Sequence, residues 1–278
     1  MNEIVINRML RCPVCELDIG QKGNSLMCPN GHCFDIASAG YVNLASSKQS
    51  GGGDSRELVA ARVAFLGAGY YDTFAREICR RVAQYAKGGR VVDAGCGEGY
   101  YSLMAAREAQ AAVCGFDLSK FAVMAAAKAA KRQSVDAAFA VAGIFDMPLC
   151  DDCADVVMNL FAPCAAEEFG RVLKPGGHLI VAGSGELHLS GLKSVIYDEV
   201  IPNQTRADLP DGAGFELVEQ TRVKYDIRIE SREDIMALFS MTPYYYRTSE
   251  AGRSRLEALE CLDTQVDFDI FVYKKAEN

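Results

Sequence analysis

A chain of 278 residues, half of them apolar, can bury one core of ordinary size plus something small, so one main domain with an appendage is expected. With 24% charged residues, no apolar run approaches the roughly twenty residues that a bilayer crossing needs, which excludes a spanning helix. A net charge of −8 excludes a generally basic nucleic-acid footprint, so RNA contacts, if made, must come from local patches.

The first segment, to about Leu44, is rich in Cys, Gly and Asn and short of periodic apolar runs. It cannot fold on a hydrophobic core alone and needs a staple. The opening MNEIVINRMLRCPVC shows no apolar stretch followed by small residues, so a reducing, cytoplasmic setting is expected. The 11 cysteines then read as metal ligands or buried thiols rather than disulfides. Cys12 and Cys15 form a CxxC knuckle; twelve residues on comes Cys28, and after three more residues His32, preceded by Gly31. Two such knuckles supply the closed tetrahedral donor set of a structural zinc site, Cys12, Cys15, Cys28 and His32, and leave no open position for a catalytic water. Cys33 competes with His32, but adjacent residues seldom both face one ion. Metal binding would supply the folding free energy that burial cannot.

Ser46 to Ser55, SSKQSGGGDS, has the composition of a flexible connection. It divides the chain into a zinc-binding domain with its linker, residues 1–50, and a second domain, residues 51–278. Two helices follow, ELVAARVAFL and DTFAREICRRVAQYA, then a buried strand at Arg90 to Asp93, a glycine turn and a helix through Ala109. VCGFD reads as a second strand, KFAVMAAAKAAKR as a helix, AAFAVAG, ADVVMNLF and HLIVAG as the third to fifth strands. Strands alternating with helices mean an open, mostly parallel sheet of the Rossmann-like α/β class. FELVEQTRVKYDIRI and VDFDIFVYKK read as two further strands, separated by helices around Arg232 to Phe239 and Glu250 to Leu262. A second CxxC, Cys150 and Cys153, has no partner pair and reads as buried or incidental thiols.

The chemistry centres on VVDAGCGEGYY, where a strand ends in Asp93 and turns through Gly95, Gly97 and Gly99 into a helix. Glycines let the backbone bend sharply and approach a ligand, and the free N–H groups at the helix start face its polar part. About twenty residues on, the next strand ends in Asp117, placed to accept ribose hydroxyl hydrogens. The spacing is D-x-G-x-G-x-G, not the G-x-G-x-x-G that accommodates a dinucleotide pyrophosphate. Phe145, Asp146, Met147 and Pro148 follow the third strand, where a carboxylate and an apolar side chain could hold an adenine ring, and RVLKPGGHLIVA puts a Pro-Gly-Gly turn before the fifth strand.

This set, from about Val91 to Ala182, resembles the class I methyltransferases. The resemblance implies a seven-stranded sheet, S-adenosylmethionine as cofactor, and Asp93, Gly95, Gly97, Glu98, Asp117, Asp146, Met147 and Asn159 among the residues around it. Over nearly the whole length the chain is similar to the RlmA family, large-subunit ribosomal RNA guanine-N1 methyltransferases. The strings that carry this similarity are CPVC, CPNGHCFD, AGYVNL, GDS with ARVAFLGAGYY, FAPC, HLSGLKSVIYDEV and MTPYYYRT, in the family's order. The similarity implies 23S rRNA as substrate, a homodimer, and cofactor contacts from Tyr71 and His188; by chemistry alone Tyr71 is equally a core tyrosine and His188 a structural histidine. No general base is singled out. A small-molecule methyl acceptor is the alternative reading, to which the acidic charge points. The linker, often basic in this family, offers only Lys48 here; Arg76, Arg80 and Arg81 form the compensating basic helix face or a merely solvated one.

Overall fold

The computed structural model describes residues 9–45, 53–203, 209 and 214–277; Lys48 and most of the glycine-rich connection lie outside them. The N-terminal segment forms a small antiparallel sheet of three strands, β1 (Gly20–Lys22), β2 (Ser25–Met27) and β3 (Cys33–Asp35). Two helices follow the connection, α1 (Arg56–Gly67) and α2 (Asp72–Ala86). Ser55 caps α1 by accepting the Leu58 N–H at 3.2 Å, as a hydroxyl at that position should. In α2 Phe74, Ala75, Ile78, Cys79, Val82 and Ala86 recur at helical spacing and are buried.

Among the described residues the main sheet has eight strands, the seven expected and one more at its edge. Its parallel part comprises β5 (Arg90–Ala94), β6 (Ala112–Asp117), β7 (Ala137–Val141), β8 (Ala154–Leu160) and β9 (Leu173–Ser184). Of these, β5 to β8 are almost wholly buried, as is the stretch Leu179–Ala182 of β9, as a sheet covered on both faces requires. Two long strands, β10 (Phe215–Ile229) and β11 (Leu262–Lys275), extend it antiparallel beyond β9. The eighth, β4 (Val42–Asn43), comes from the N-terminal segment and pairs parallel with Ala140 and Val141. The order is β10-β11-β9-β8-β5-β6-β7-β4.

Helices α3 (Tyr100–Ala109), α4 (Lys120–Gln133), α5 (Ala166–Val172) and α6 (Ser190–Ile196) follow β5, β6, β8 and β9 in turn. Helix α7 (Arg232–Ser240), a 3-10 turn (Pro243–Tyr246) and α8 (Glu250–Glu257) lie between β10 and β11. No helix stands between β7 and β8 among the described residues. On that face Met9, Leu10, Leu26 and Ile36 of the N-terminal segment join one apolar cluster with Val92, Ala140, Leu149 and Val157. Backbone bonds stitch the same junction, Arg11 N–H to the Pro148 carbonyl at 2.9 Å and Cys150 N–H to the Met9 carbonyl at 2.8 Å.

Two expected boundaries shift. The last helix ends at Glu257 and Leu262 already pairs with Ile229; both side chains are buried, and their burial across the ladder outweighs a helical continuation. The Pro-Gly-Gly sequence lies inside β9: Leu173 pairs with Ala154 and His178 with Val156. The residues between them swing out, and Gly176, at φ +74°, supplies the left-handed conformation that the detour needs.

Candidate metal centre and cofactor edge

The knuckles place Cys12, Cys15, Cys28 and His32 so that their four donor atoms lie within 4.8 Å of one another. Tight turns do this: Glu16 N–H bonds the Cys12 carbonyl at 2.8 Å, and Gly31 N–H bonds the Cys28 carbonyl at 3.0 Å. His32 Nδ1 is 3.3 Å from Cys28 Sγ and 3.5 Å from Cys12 Sγ, and Cys15 Sγ is 3.6 Å from Cys28 Sγ. With zinc–sulfur bonds of about 2.3 Å, the edges of a tetrahedral zinc site are about 3.8 Å, so these four donors fit that ion. Burial opposes ionisation of Cys28, but backbone N–H donors of His32 and Asn30 and the Cys15 and His32 side chains outweigh it and bring the thiol down to about 6, toward the thiolate that binds metal. Cys33 opens β3 and is exposed, outside the cluster.

At the carboxyl ends of the parallel strands, Gly95, Gly97 and Gly99 all adopt positive φ, between 53° and 87°. A Cβ at Gly95 would sit 2.6 Å from Ala162 Cβ, and one at Gly99 2.8 Å from Ala126 Cβ. The loop is therefore restricted to glycine by close approach as well as by torsion. Asp117 holds it in place, accepting the Gly97 N–H at 3.1 Å on one oxygen and the Ser119 N–H at 2.7 Å on the other. Burial nevertheless moves this carboxyl above its ordinary value. Asp93 is buried beneath the loop and accepts from the Ser102 hydroxyl. Burial, with repulsion from Asp117 and Glu98, pushes it up to about 7 against that hydrogen bond. Asn159 donates both amide hydrogens to backbone, to Ala94 at 3.3 Å and Pro163 at 3.1 Å, which ties β8 to the loop. Asp146 is exposed and Met147 is packed into the core, while neighbouring Phe145 stands exposed.

Tyr71 and His188 meet in an aromatic wall. Tyr71 packs edge-on against Phe65 and Phe268, with ring centroids 5.1 and 5.2 Å away. Its hydroxyl is buried without a hydrogen-bond partner among the described residues. His188 lies 4.2 Å from the Phe268 ring and 6.1 Å from Tyr71, and its Nδ1 accepts the Asp267 backbone N–H at 3.3 Å. Burial lowers its pKa to about 3, so the imidazole is neutral. Phe161, just past Asn159, holds φ +60° and packs against Phe74 and Phe268 at 5.5 and 4.7 Å. Its neighbour Ala162 lies against Gly95, so this stretch joins the wall to the glycine loop.

Residues 86–225 match the family described as a methyltransferase domain, and residues 10–50 match "RlmA, N-terminal". A 23S rRNA (guanine(748)-N(1))-methyltransferase of Streptomyces fradiae is 34% identical over 80% of this chain and 81% of its own length. A putative 23S rRNA (guanine-N(1)-)-methyltransferase of Micromonospora griseorubida is 35% identical over 87% and 88%. One of the same description from Bacillus subtilis (strain 168) is 31% identical over 99% and 100%.

The chain belongs to the RlmA family of rRNA guanine-N1 methyltransferases.

As an RlmA-family enzyme it carries two cofactors, S-adenosylmethionine on the methyltransferase domain and a structural zinc ion on the N-terminal cluster. Sequence reasoning gave no role to several residues that build this RlmA site. Arg62, within the ARVAFL string, pairs with Glu98 and with Asp54 at 2.7 Å, joining the cofactor loop to the end of the interdomain connection. Asp267 is fully buried, receives two bonds from Arg222 at 2.6 Å and accepts the Leu187 N–H at 2.8 Å. It thereby anchors the loop that carries His188. Of the two readings of the basic face on α2, the solvated one holds for Arg76 and Arg80, both exposed and paired with Asp72 and with Glu77 and Glu219, while Arg81 departs from both, being wholly buried on Glu77 and Glu219. This face has no spare charge for RNA.

Proposed function

We propose that this enzyme transfers the methyl group of S-adenosylmethionine to N1 of a guanine in 23S rRNA. The observation that carries the reading is the run of contacts that ties the glycine loop, through Asn159 and the neighbouring Phe161, to the Tyr71–His188 wall, on a chain whose relatives bear that activity in their names. On this reading Asp93, Gly95, Gly97, Glu98, Asp117, Asp146, Met147, Asn159, Tyr71 and His188 surround the cofactor. Asp117 keeps lone pairs for the ribose hydroxyls beyond the two it uses on backbone N–H groups. When bound, the cofactor supplies an electrophilic methyl on a sulfonium, a positive charge that the electron-rich ring of Tyr71 would stabilise.

Guanine N1 would lose its proton and use the freed pair to form the new N–C bond as the S–CH3 bond breaks, its electron pair staying on sulfur in the neutral thioether S-adenosylhomocysteine. Because His188 Nδ1 accepts from Asp267, its proton sits on Nε2 and the ring offers a donor rather than a base. The N1 proton then leaves to water. Residues 1–50 act as the zinc-bearing, RNA-recognising part and 51–278 as the transferase; the enzyme works in the cytoplasm, where its free thiols stay reduced, and as a homodimer.

The test is incubation of zinc-loaded enzyme with labelled S-adenosylmethionine and 23S rRNA lacking the modification, followed by nucleoside analysis. Label in N1-methylguanosine is expected. Label absent from guanine but present on metabolites would favour a small-molecule acceptor, the reading that the net charge of −8 favours.

A further inference from the structure

The 3-10 turn Pro243–Tyr246 and the start of the following segment carry an aromatic and cationic surface that the site above does not use. Tyr246 is 74% exposed, one of the two most exposed large apolar side chains among the described residues; the other is Ile201, at 75%. Tyr245 stands perpendicular to it at 5.2 Å, and Arg253 lies over the other ring at 4.6 Å. This holds Tyr245 as a fixed backing. Arg247 is exposed and makes no ion pair among the described residues, whereas most other arginines are matched with carboxylates. The surface is tied to the reaction edge. The Tyr244 hydroxyl donates to Asn203 at 3.2 Å, and the Asn203 amide donates to the Gly185 and His188 carbonyls, both at 3.1 Å.

We propose that Tyr246 and Arg247 form the platform for single-stranded RNA next to the target guanine, with an unstacked base on the Tyr246 ring and a phosphate on the Arg247 guanidinium. This rests on the rRNA reading above and names the surface that serves it. Two observations choose the occupant. The guanidinium is uncompensated on a protein of net charge −8, which suits a polyanion. The exposed ring is joined through Tyr244 and Asn203 to the loop that carries His188, so a strand presenting a guanine there would run over it. An exposed aromatic beside a free arginine is the combination that takes bases without reading their edges, and loops with splayed bases are the RNA form that proteins recognise.

The experiment uses the full chain, zinc-loaded, with unmodified 23S rRNA transcript as the probe. Tyr246→Ala is expected to raise the KM for RNA about tenfold and to leave the Kd for S-adenosylmethionine unchanged. Tyr246→Phe restores the RNA KM, since stacking needs the ring and not the hydroxyl. Arg247→Gln lowers the slope of log affinity against log salt by about 0.7, one single-strand phosphate contact. An unchanged RNA KM in Tyr246→Ala overturns the platform, as does failure of Tyr246→Phe to restore it. Loss of a dimer in sedimentation with RNA affinity intact also overturns it and assigns the surface to a second copy. If the wild-type enzyme methylates no RNA, the underlying rRNA reading falls and takes this proposal with it; an active wild type with an indifferent Tyr246→Ala removes the platform alone.

Discussion

Two carboxyls one strand apart, Asp93 and Asp117, have separate tasks because their surroundings differ. Asp117 has both oxygens on backbone N–H groups and remains able to accept from a ribose. Asp117→Asn exchanges an acceptor for a donor there, and losing charged hydrogen bonds of this kind should weaken S-adenosylmethionine binding roughly tenfold to hundredfold, measured by calorimetry on the folded variant. Asp93 is below the loop and titrates near 7, far above its ordinary 3.8. The folded chain therefore holds a proton that the unfolded chain has released between about 4 and about 7. The stability this adds is complete below about 4 and is lost as pH rises through about 7. Asp93→Asn cannot ionise, so its stability relative to wild type should climb across that window and level off above it. Urea unfolding at constant zinc reads this difference, and a pH-independent difference contradicts the assigned burial. The glycines and both aspartates were legible in the sequence because strand, turn and carboxylate are neighbours along the chain. The neutrality of His188 was not, since it comes from burial against Tyr71 and Phe268, rings brought from distant segments.

Elements, rather than single residues, position the far side of the site. Strands β10 and β11 pair along their whole lengths, and across this pair Arg222 reaches the buried Asp267, which in turn holds the turn after β9. Arg222→Ala leaves a buried carboxylate without its counter-charge. The arginine is 45% exposed, so solvent screens part of the loss, and a destabilisation of roughly 1–3 kcal/mol is expected. It should be accompanied by weaker cofactor binding as the His188 loop loosens. Denaturant midpoints and cofactor titration check the two effects; a stability loss with cofactor affinity unchanged separates the anchor from the site. The β-branched and aromatic runs of β10 and β11 made both strands readable in advance. Their partners were not readable, because register belongs to the pair and not to either segment.

At the scale of the whole molecule, the metal-bearing segment is continuous with the enzyme. Leu10, Leu26 and Val42 lie in the same apolar cluster as Val92 and Val157, and β4 extends the main sheet. Stripping the metal should therefore lower a single melting transition rather than release a separate, earlier one. With roughly 2–4 °C per kcal/mol for a chain of this class, and structural zinc contributing many kcal/mol, the fall in Tm should be on the order of 10 °C or more. Calorimetry of native and chelator-treated protein reads it, and two resolved transitions would show that the segments melt independently.

By itself, the sequence determined what is local: the two metal knuckles, the glycine bend with its flanking carboxylates, the alternation of strand and helix, and the strings that place the chain in its family. Spacing along a backbone constrains those features before any packing occurs. The tertiary structure alone decided that Arg81 is buried on Glu77 and Glu219 instead of facing RNA, that Val42 and Asn43 become a sheet strand, and that Tyr71 meets His188. Each of these depends on neighbours brought from distant segments, and burial and charge compensation are properties of the neighbours a side chain acquires, which its own sequence context does not contain.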